Sequence, residues 1–356
     1  MRPATRRALM NGLRLLLLPF AVLACSAPSS EEQVRATSSA IVGGDASPST
    51  HDAVVFIGNP VDHTVCTGTL VAPDVVVTAR HCVSRMKDET ASGACKSDGT
   101  HGGDPNAQEL AADYKASDLD VFVGPSTPKL TKTLMPAAIG KTIVHDDATS
   151  ICNHDVAFLV LDRAVTAPIA KLRTTPPVAG EKLTLVGYGD DVTGGLPAAR
   201  QERSVDVLVV GPYDSPGGGG LAPAELLVSE GGCYGDSGGP TLDDSGDIVS
   251  IDSRGASAGK GPSGCEGANE VHTSVASFGA LATRALAIAI GVPTDAGADA
   301  DAPDPAPDPP EADAPTTTSS SCSAGARSGS SFGGAIVAAV IAAAARRRRR
   351  LRSEQR

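Results

Sequence analysis

The chain has 356 residues, room for one large domain or two modest ones with tails. It lacks tryptophan, is poor in aromatics and carries 39 Gly and 26 Pro, which disfavours a helical bundle and favours short strands joined by turns. Residues 41–321 hold 17 basic against 38 acidic side chains, and so acidic a body argues against nucleic acid as a partner.

Residues 1–24 read as a signal peptide: Arg2, Arg6 and Arg7 form a basic start, and the apolar run from Leu15 to Ala24 is too short to span a bilayer. Val22-Leu23-Ala24-Cys25 resembles a bacterial lipobox, which would put lipid on Cys25; the alternative is ordinary cleavage near Ala24 or Ala27. Residues 25–40 are polar, with little to bury, and read as a disordered pro-segment. Strands are expected at Val54–Ile57, then in a hairpin of Cys66–Leu70 and Val75–Thr78 turning at Pro73-Asp74. Residues 86–118, rich in Asp, Gly and Ser, read as a long surface insertion. Its Asp98, Gly99, Gly102, Gly103 and Asp104 hint at calcium but lack the regular alternation of loop carboxylates, so a solvated loop is expected and no metal or cofactor.

Further strands are expected at Val121–Val123, Thr142–His145, Val156–Leu161, Leu183–Tyr188, Val205–Val210, Glu225–Ser229, Ile248–Asp252 and Val271–Val275. Thr174 to Gly180 reads as a connection between two halves, and Ser274 to Ile290 suits a terminal helix. Many short, evenly spaced strands argue an all-β sandwich or pair of barrels. Residues 292–321 alternate Pro, Asp, Ala and Thr, an extended linker. In 322–356, Cys322, the apolar run Phe332 to Ala345 and the Arg346 to Arg350 block resemble the MYXO-CTERM sorting tail of myxobacteria; a short membrane anchor is the alternative. The expected location is therefore extracellular or at the cell surface or outer membrane.

Of the eight cysteines, Cys66, Cys82, Cys95, Cys152, Cys233 and Cys265 lie in the body, and the absence of any Cys-x-x-Cys pair argues against structural zinc. An even inner set behind an export signal reads as three disulfides formed in an oxidising compartment.

Three settings carry chemistry: Thr78-Ala79-Arg80-His81-Cys82, Asp155-Val156-Ala157-Phe158-Leu159 and Gly235-Asp236-Ser237-Gly238-Gly239-Pro240. A serine hydroxyl is a weak nucleophile until a base takes its proton; neutral imidazole suits that task, and a carboxylate on the other ring nitrogen fixes its tautomer. His154, beside Asp155, is a rival base by position, expected to face away because neighbours on a strand point to opposite faces. The order His…Asp…Ser, with Ile41-Val42-Gly43-Gly44, resembles the trypsin/chymotrypsin family of serine endopeptidases over about residues 41–290.

The resemblance implies two packed antiparallel six-stranded β-barrels with a C-terminal helix in residues 41–291, acting on protein or peptide substrates as a monomer. It implies His81 as general base, Asp155 as its orienting carboxylate, Ser237 as nucleophile, and the amides of Gly235 and Ser237 as the oxyanion hole. It implies the disulfides Cys66–Cys82 and Cys233–Cys265, with Cys95 and Cys152 as the remaining pair. Activation would use the amine of Ile41, freed by cleavage and paired with Asp236. Ala40 stands where trypsin-activated relatives carry Arg or Lys, so the activating protease is unknown. Gly231 stands where trypsin carries its pocket carboxylate, while Glu270 falls on the opposite wall and Ser253 and Gly255 on the substrate-binding edge, with Arg254 in place of the usual tryptophan. Basic or broad side-chain preference is expected; the alternative is a Glu270 that points to solvent beside an apolar pocket. A non-catalytic surface binding or adhesion protein on the same fold is the rival function.

Overall fold

The computed structural model describes residues 41–292 apart from positions 89, 132, 217 and 218. The expected signal peptide, Cys25, the pro-segment, all but the first residue of the linker, Cys322 and the sorting tail lie outside the described residues.

Six strands form a first closed barrel: β1 (Val54–Asn59), β2 (Thr64–Ala72), β3 (Val75–Thr78), β4 (Asp120–Phe122), β5 (Ala138–Val144) and β6 (Ala157–Leu161). Their order is β5-β6-β3-β2-β1-β4, closing on β5, and every pairing is antiparallel. Pro73-Asp74 makes the two-residue turn between β2 and β3, and every residue of β1, β3 and β6 is buried, as expected of apolar, β-branched runs in a small barrel.

The second barrel comprises β7 (Lys182–Gly187), β8 (Gln201–Val210), β9 (Glu225–Val228), β10 (Pro240–Leu242), β11 (Ile248–Gly255) and β12 (Glu270–Ser274). They run β8-β7-β10-β11-β12-β9, and β9 closes onto β8. Its core packs Ile41 with Leu183, Leu185, Val205, Val207, Leu226, Val228 and Val249. One turn of 3₁₀-helix, Val275–Phe278, leads into α1 (Gly279–Ala289), which buries Leu281, Ala282 and Ala285 against the first barrel. No described helix is long and apolar enough to cross a membrane. The protein is thus all-β, two six-stranded antiparallel barrels with one C-terminal helix.

Two local readings change. The 86–118 insertion is not simply a solvated loop: Ser84–Met86 pairs with Leu110–Asp113 and Gly93–Cys95 with His101–Gly103. Ala107 and Leu110 supply buried apolar anchors that its polar composition hid. The strand Pro240–Leu242 was masked by its own motif, since proline argues against a strand interior; here Pro240 is the strand's first residue, where its missing N–H is tolerated.

The barrels are tied by buried polar groups. Tyr188 Oη donates to the carbonyls of Gly124 at 2.6 Å and Val54 at 3.2 Å. The fully buried Arg200 guanidinium bonds Asp52 Oδ1 at 2.9 Å and the Pro48 carbonyl at 2.8 Å. Three disulfides, Cys66–Cys82, Cys95–Cys152 and Cys233–Cys265, staple the domain, as suits an exported protein.

Candidate active site

Between the barrels lies a cleft of about 870 Å³, and His81, Ser237, Gly235, Ser253, Gly255 and Glu270 all line it. His81 arrives on the 3₁₀ turn Arg80–Cys82 that follows β3, and the Cys66–Cys82 bridge ties this turn to β2. Asp155 stands just before β6, three residues after the Cys95–Cys152 staple, and is fully buried. Its Oδ2 lies 2.8 Å from His81 Nδ1, and its Oδ1 accepts the His81 amide at 3.0 Å. Ser253 Oγ adds a third hydrogen bond to Oδ2 at 2.6 Å.

Ser237 sits in the turn between β9 and β10, fastened to the opposite barrel. The Thr67 amide donates to the Ser237 carbonyl at 2.9 Å, and Thr67 Oγ1 donates to the Gly235 carbonyl at 2.8 Å. Gly235, which lines the cleft, has φ +99°, a conformation glycine adopts at no steric cost. At Gly238, with φ +82°, an added Cβ would stand 2.1 Å from Thr78 Oγ1 and 2.3 Å from the Thr67 carbonyl, so no side chain fits. The amides of Gly235 and Ser237 donate to no protein acceptor among the described residues. Ser237 Oγ and His81 are not hydrogen-bonded to each other here; such contacts are commonly long in unliganded enzymes and tighten with substrate.

Burial alone would lower the His81 pKa, but the carboxylate of Asp155, aided by Asp252, outweighs it and holds the imidazole above its ordinary value of 6.5. For Asp155 burial acts upward, yet His81 and its hydrogen bonds, with that of Ser253, keep the carboxyl below the ordinary aspartate range. The result is a carboxylate that stays ionised and an imidazole whose basicity it raises.

Asp236 is fully buried with Oδ1 accepting from the Gly189 amide at 2.8 Å and Oδ2 from the Cys233 amide at 3.0 Å. Burial pushes its pKa up to about 8 despite those donors. Ile41 is fully buried in the second barrel's core, and the Val42 amide donates to the Gly231 carbonyl at 2.9 Å. Gly231 itself lies behind the cleft: a Cβ there would meet Val205 Cγ1 at 2.9 Å and Leu185 Cδ2 at 3.0 Å. Its neighbour Gly232 faces the side chains of Asp252 and Glu270 instead.

His154 sits in a turn ahead of β6, with Nδ1 2.6 Å from Asp146 Oδ2, and lines a separate cavity with Phe278 and Leu281. It does face away from Ser237, through turn geometry rather than strand alternation. Cys66, His81 and Cys82 cluster closely enough to suggest a metal, but the two sulfurs are bonded to each other and offer no thiolate.

Motif reading missed Asp252 and Thr67 altogether, and placed Ser253 and Arg254 on the substrate-binding edge without their contacts to Asp155 and Glu225. Asp252 is a buried acid that follows Ile248-Val249-Ser250-Ile251, a stretch otherwise without charge. Thr67 and the Ser253 hydroxyl act through hydrogen bonds that no spacing announces. Arg254, on the cleft edge, is held by the buried Glu225 at 2.9 Å.

A family model described as Trypsin matches residues 41–279. Bovine (Bos taurus) proproteinase E is 28% identical over 225 residues, covering 58% of this chain and 78% of that protein. Human chymotrypsin-like elastase family member 3B is 30% identical over 190 residues, covering 49% of this chain and 60% of that protein; human member 3A is 28% identical over 190 residues. The chain thus spans only about 60% of the length of these elastase relatives. With the two-barrel fold, the match over residues 41–279 establishes that the chain belongs to the trypsin family and is a serine-type endopeptidase.

Proposed function

We propose that this is an exported endopeptidase, made as a zymogen, which hydrolyses peptide bonds through His81, Asp155 and Ser237. The observation that carries the reading is the His81 imidazole, anchored at Nδ1 by the buried Asp155 carboxylate 2.8 Å away, in the same cleft as Ser237. His81 Nε2 takes the proton of Ser237 Oγ as the oxygen attacks the substrate carbonyl carbon. The tetrahedral oxyanion is received by the Gly235 and Ser237 amides. His81 then passes the proton to the departing amine, and water repeats the sequence to release the acyl group. Losing one oxyanion donor of this kind costs about 3–4 kcal/mol.

Activation is assigned to cleavage between Ala40 and Ile41, after which the new ammonium pairs with Asp236. A buried ammonium without that partner is too costly to keep charged. Glu270 in the cleft supports a preference for basic or mixed side chains. Retention at the surface is assigned to the 322–356 tail, since cleavage before Ile41 detaches any lipid on Cys25.

A fluorophosphonate probe tests the chemistry. We expect one adduct, on Ser237, in processed protein and none after Ser237→Ala; processed protein without an adduct would favour the non-catalytic binding reading. Mass spectrometry of the native protein should give Ile41 as the mature N-terminus, and any other residue there rejects the activation scheme.

A further inference from the structure

Glu225 is an acid at the first position of β9, a strand otherwise apolar, and it is fully buried. Its carboxylate is well supplied with donors. Oε1 accepts the Asn153 amide at 3.0 Å and lies 2.9 Å from Arg254 Nη1, while Oε2 accepts the Ala222 amide at 2.9 Å. β9 and β11 flank β12 on opposite sides, so the pair bridges strands roughly 10 Å apart. A buried ion pair is weak evidence for stability, because apolar side chains of similar volume fill such a space about as well. What distinguishes this pair is where its hydrogen bonds lead.

They lead to Asp155 by two routes. The first runs through side chains: Arg254 Nη1 also donates to Ser253 Oγ at 3.3 Å, and that hydroxyl donates to Asp155 Oδ2 at 2.6 Å. A hydroxyl has one proton and two lone pairs. A cationic donor on a lone pair leaves the proton committed to the carboxylate and polarises that bond. The second route runs through main chain. Asn153, two positions before Asp155, has φ +71°, the left-handed region that a residue other than glycine enters at a cost. A reciprocal pair of bonds holds it there: its amide donates to Glu225 Oε1, and its Oδ1 accepts the Ala224 amide at 2.7 Å. One carboxylate of the second barrel thus fastens both the segment that delivers Asp155 and, through Arg254, the hydroxyl that faces it.

We propose that Glu225 and Arg254 form a positioning ion pair for the triad, setting Asp155 through the Asn153 amide and the Ser253 hydroxyl, and through Asp155 the His81 imidazole. The assignment rests on the reading of His81, Asp155 and Ser237 as the catalytic machinery. Glu225 is fully buried and does not line the cleft, so it has no access to substrate. Arg254 does line the cleft, and a contact with substrate is the rival role for its guanidinium. The two residues act as one unit, since removing either leaves the other without its partner. Losing the pair should leave Asp155 less firmly held and slow proton uptake by His81.

A small fluorophosphonate without a peptide arm reads the chemistry apart from binding along the cleft edge. In processed protein, Glu225→Gln and Arg254→Met should each slow labelling of Ser237 roughly tenfold, the loss expected for one charge-assisted hydrogen bond, while the final extent of labelling stays full. The double variant carries no unpaired buried charge, so it serves even where a single variant fails to fold. It should be no slower than the slower single, because coupled residues are not additive. With a peptide substrate the loss should fall on kcat, with KM little changed. The His81 Nδ1–H proton resonance, recorded in Ser237→Ala protein, should move upfield in the variants. That resonance reports the Asp155–His81 bond whether or not Ser237 reacts, so a parent that never labels loses the catalytic reading and still tests the pair. Labelling at the parent rate, an unmoved resonance, single losses that multiply in the double variant, or a loss in Arg254→Met confined to KM would overturn the proposal. A fall in melting temperature with none of these rates changed would likewise reduce the pair to a structural one.

Discussion

At the scale of single residues, Asp155 does three things with two oxygens. It receives the His81 ring, the His81 amide and the Ser253 hydroxyl, so the imidazole is fixed in both tautomer and position. Replacing Asp155 by Asn keeps the volume but offers an N–H where an acceptor is needed, and kcat should fall by about 10⁴. Because Asp155 holds the His81 pKa above 6.5, the acid limb of the kcat/KM profile should have its midpoint above 6.5 in the parent and move lower in Asp155→Asn. Ser253→Ala removes one charge-assisted hydrogen bond, worth about 1.5–3 kcal/mol. Its effect should appear as roughly a tenfold loss in kcat with KM little changed; a loss confined to KM would assign Ser253 to substrate contact alone.

At the scale of elements, His81, Asp155 and Ser237 each sit at an end of a strand or in a short turn, and a disulfide lies within four residues of each. The Cys95–Cys152 bridge spans 57 positions and anchors the insertion beside Asp155. Chain entropy assigns a loop of that length about 4 kcal/mol. The Cys95→Ala/Cys152→Ala double variant should melt lower, measured by calorimetry, and label more slowly at Ser237. The strands were legible because Val and Ile runs between turn residues leave little choice, as in Val75–Thr78 and Ala157–Leu161. The motifs were legible because glycines and the catalytic residue types are local in sequence. What escaped was non-local: the insertion's two small ladders depend on a few buried apolar anchors, and Asp252, opposite His272 in the sheet, shares its neighbour Gly232 with Glu270, 18 positions later. Gly231 and Gly232 show the same limit. Counting back from Ser237 selects Gly231, whereas the fold turns Gly232 toward Asp252 and Glu270.

At the scale of the whole molecule, the proposed cleavage before Ile41 would make Asp236 couple processing to stability. Its pKa stands near 8 in the folded chain against an ordinary value of 3.8. Between about pH 4 and 8 the folded precursor therefore keeps a proton that the unfolded chain has released, and its stability falls as pH rises through that window. After cleavage the Ile41 ammonium would hold Asp236 ionised and cancel the loss. The difference in Tm between processed and unprocessed protein, both carrying Ser237→Ala, should widen from pH 4 to pH 8. A pH-independent difference would sink the Ile41–Asp236 pair.

Thr67 belongs to the first barrel, yet its amide and hydroxyl hold the carbonyls of Ser237 and Gly235 in the second. The turn that carries Ser237 is in effect a clasp across the seam between two half-molecules. On the proposed mechanism neither half would carry a dilute version of the activity, because His81 and Asp155 belong to one and Ser237 to the other. Labelling of Ser237 therefore counts docked molecules rather than folded strands, and a lesion anywhere along the seam, at Tyr188 or Arg200 as readily as at Thr67, would register as fewer working copies rather than as slower ones.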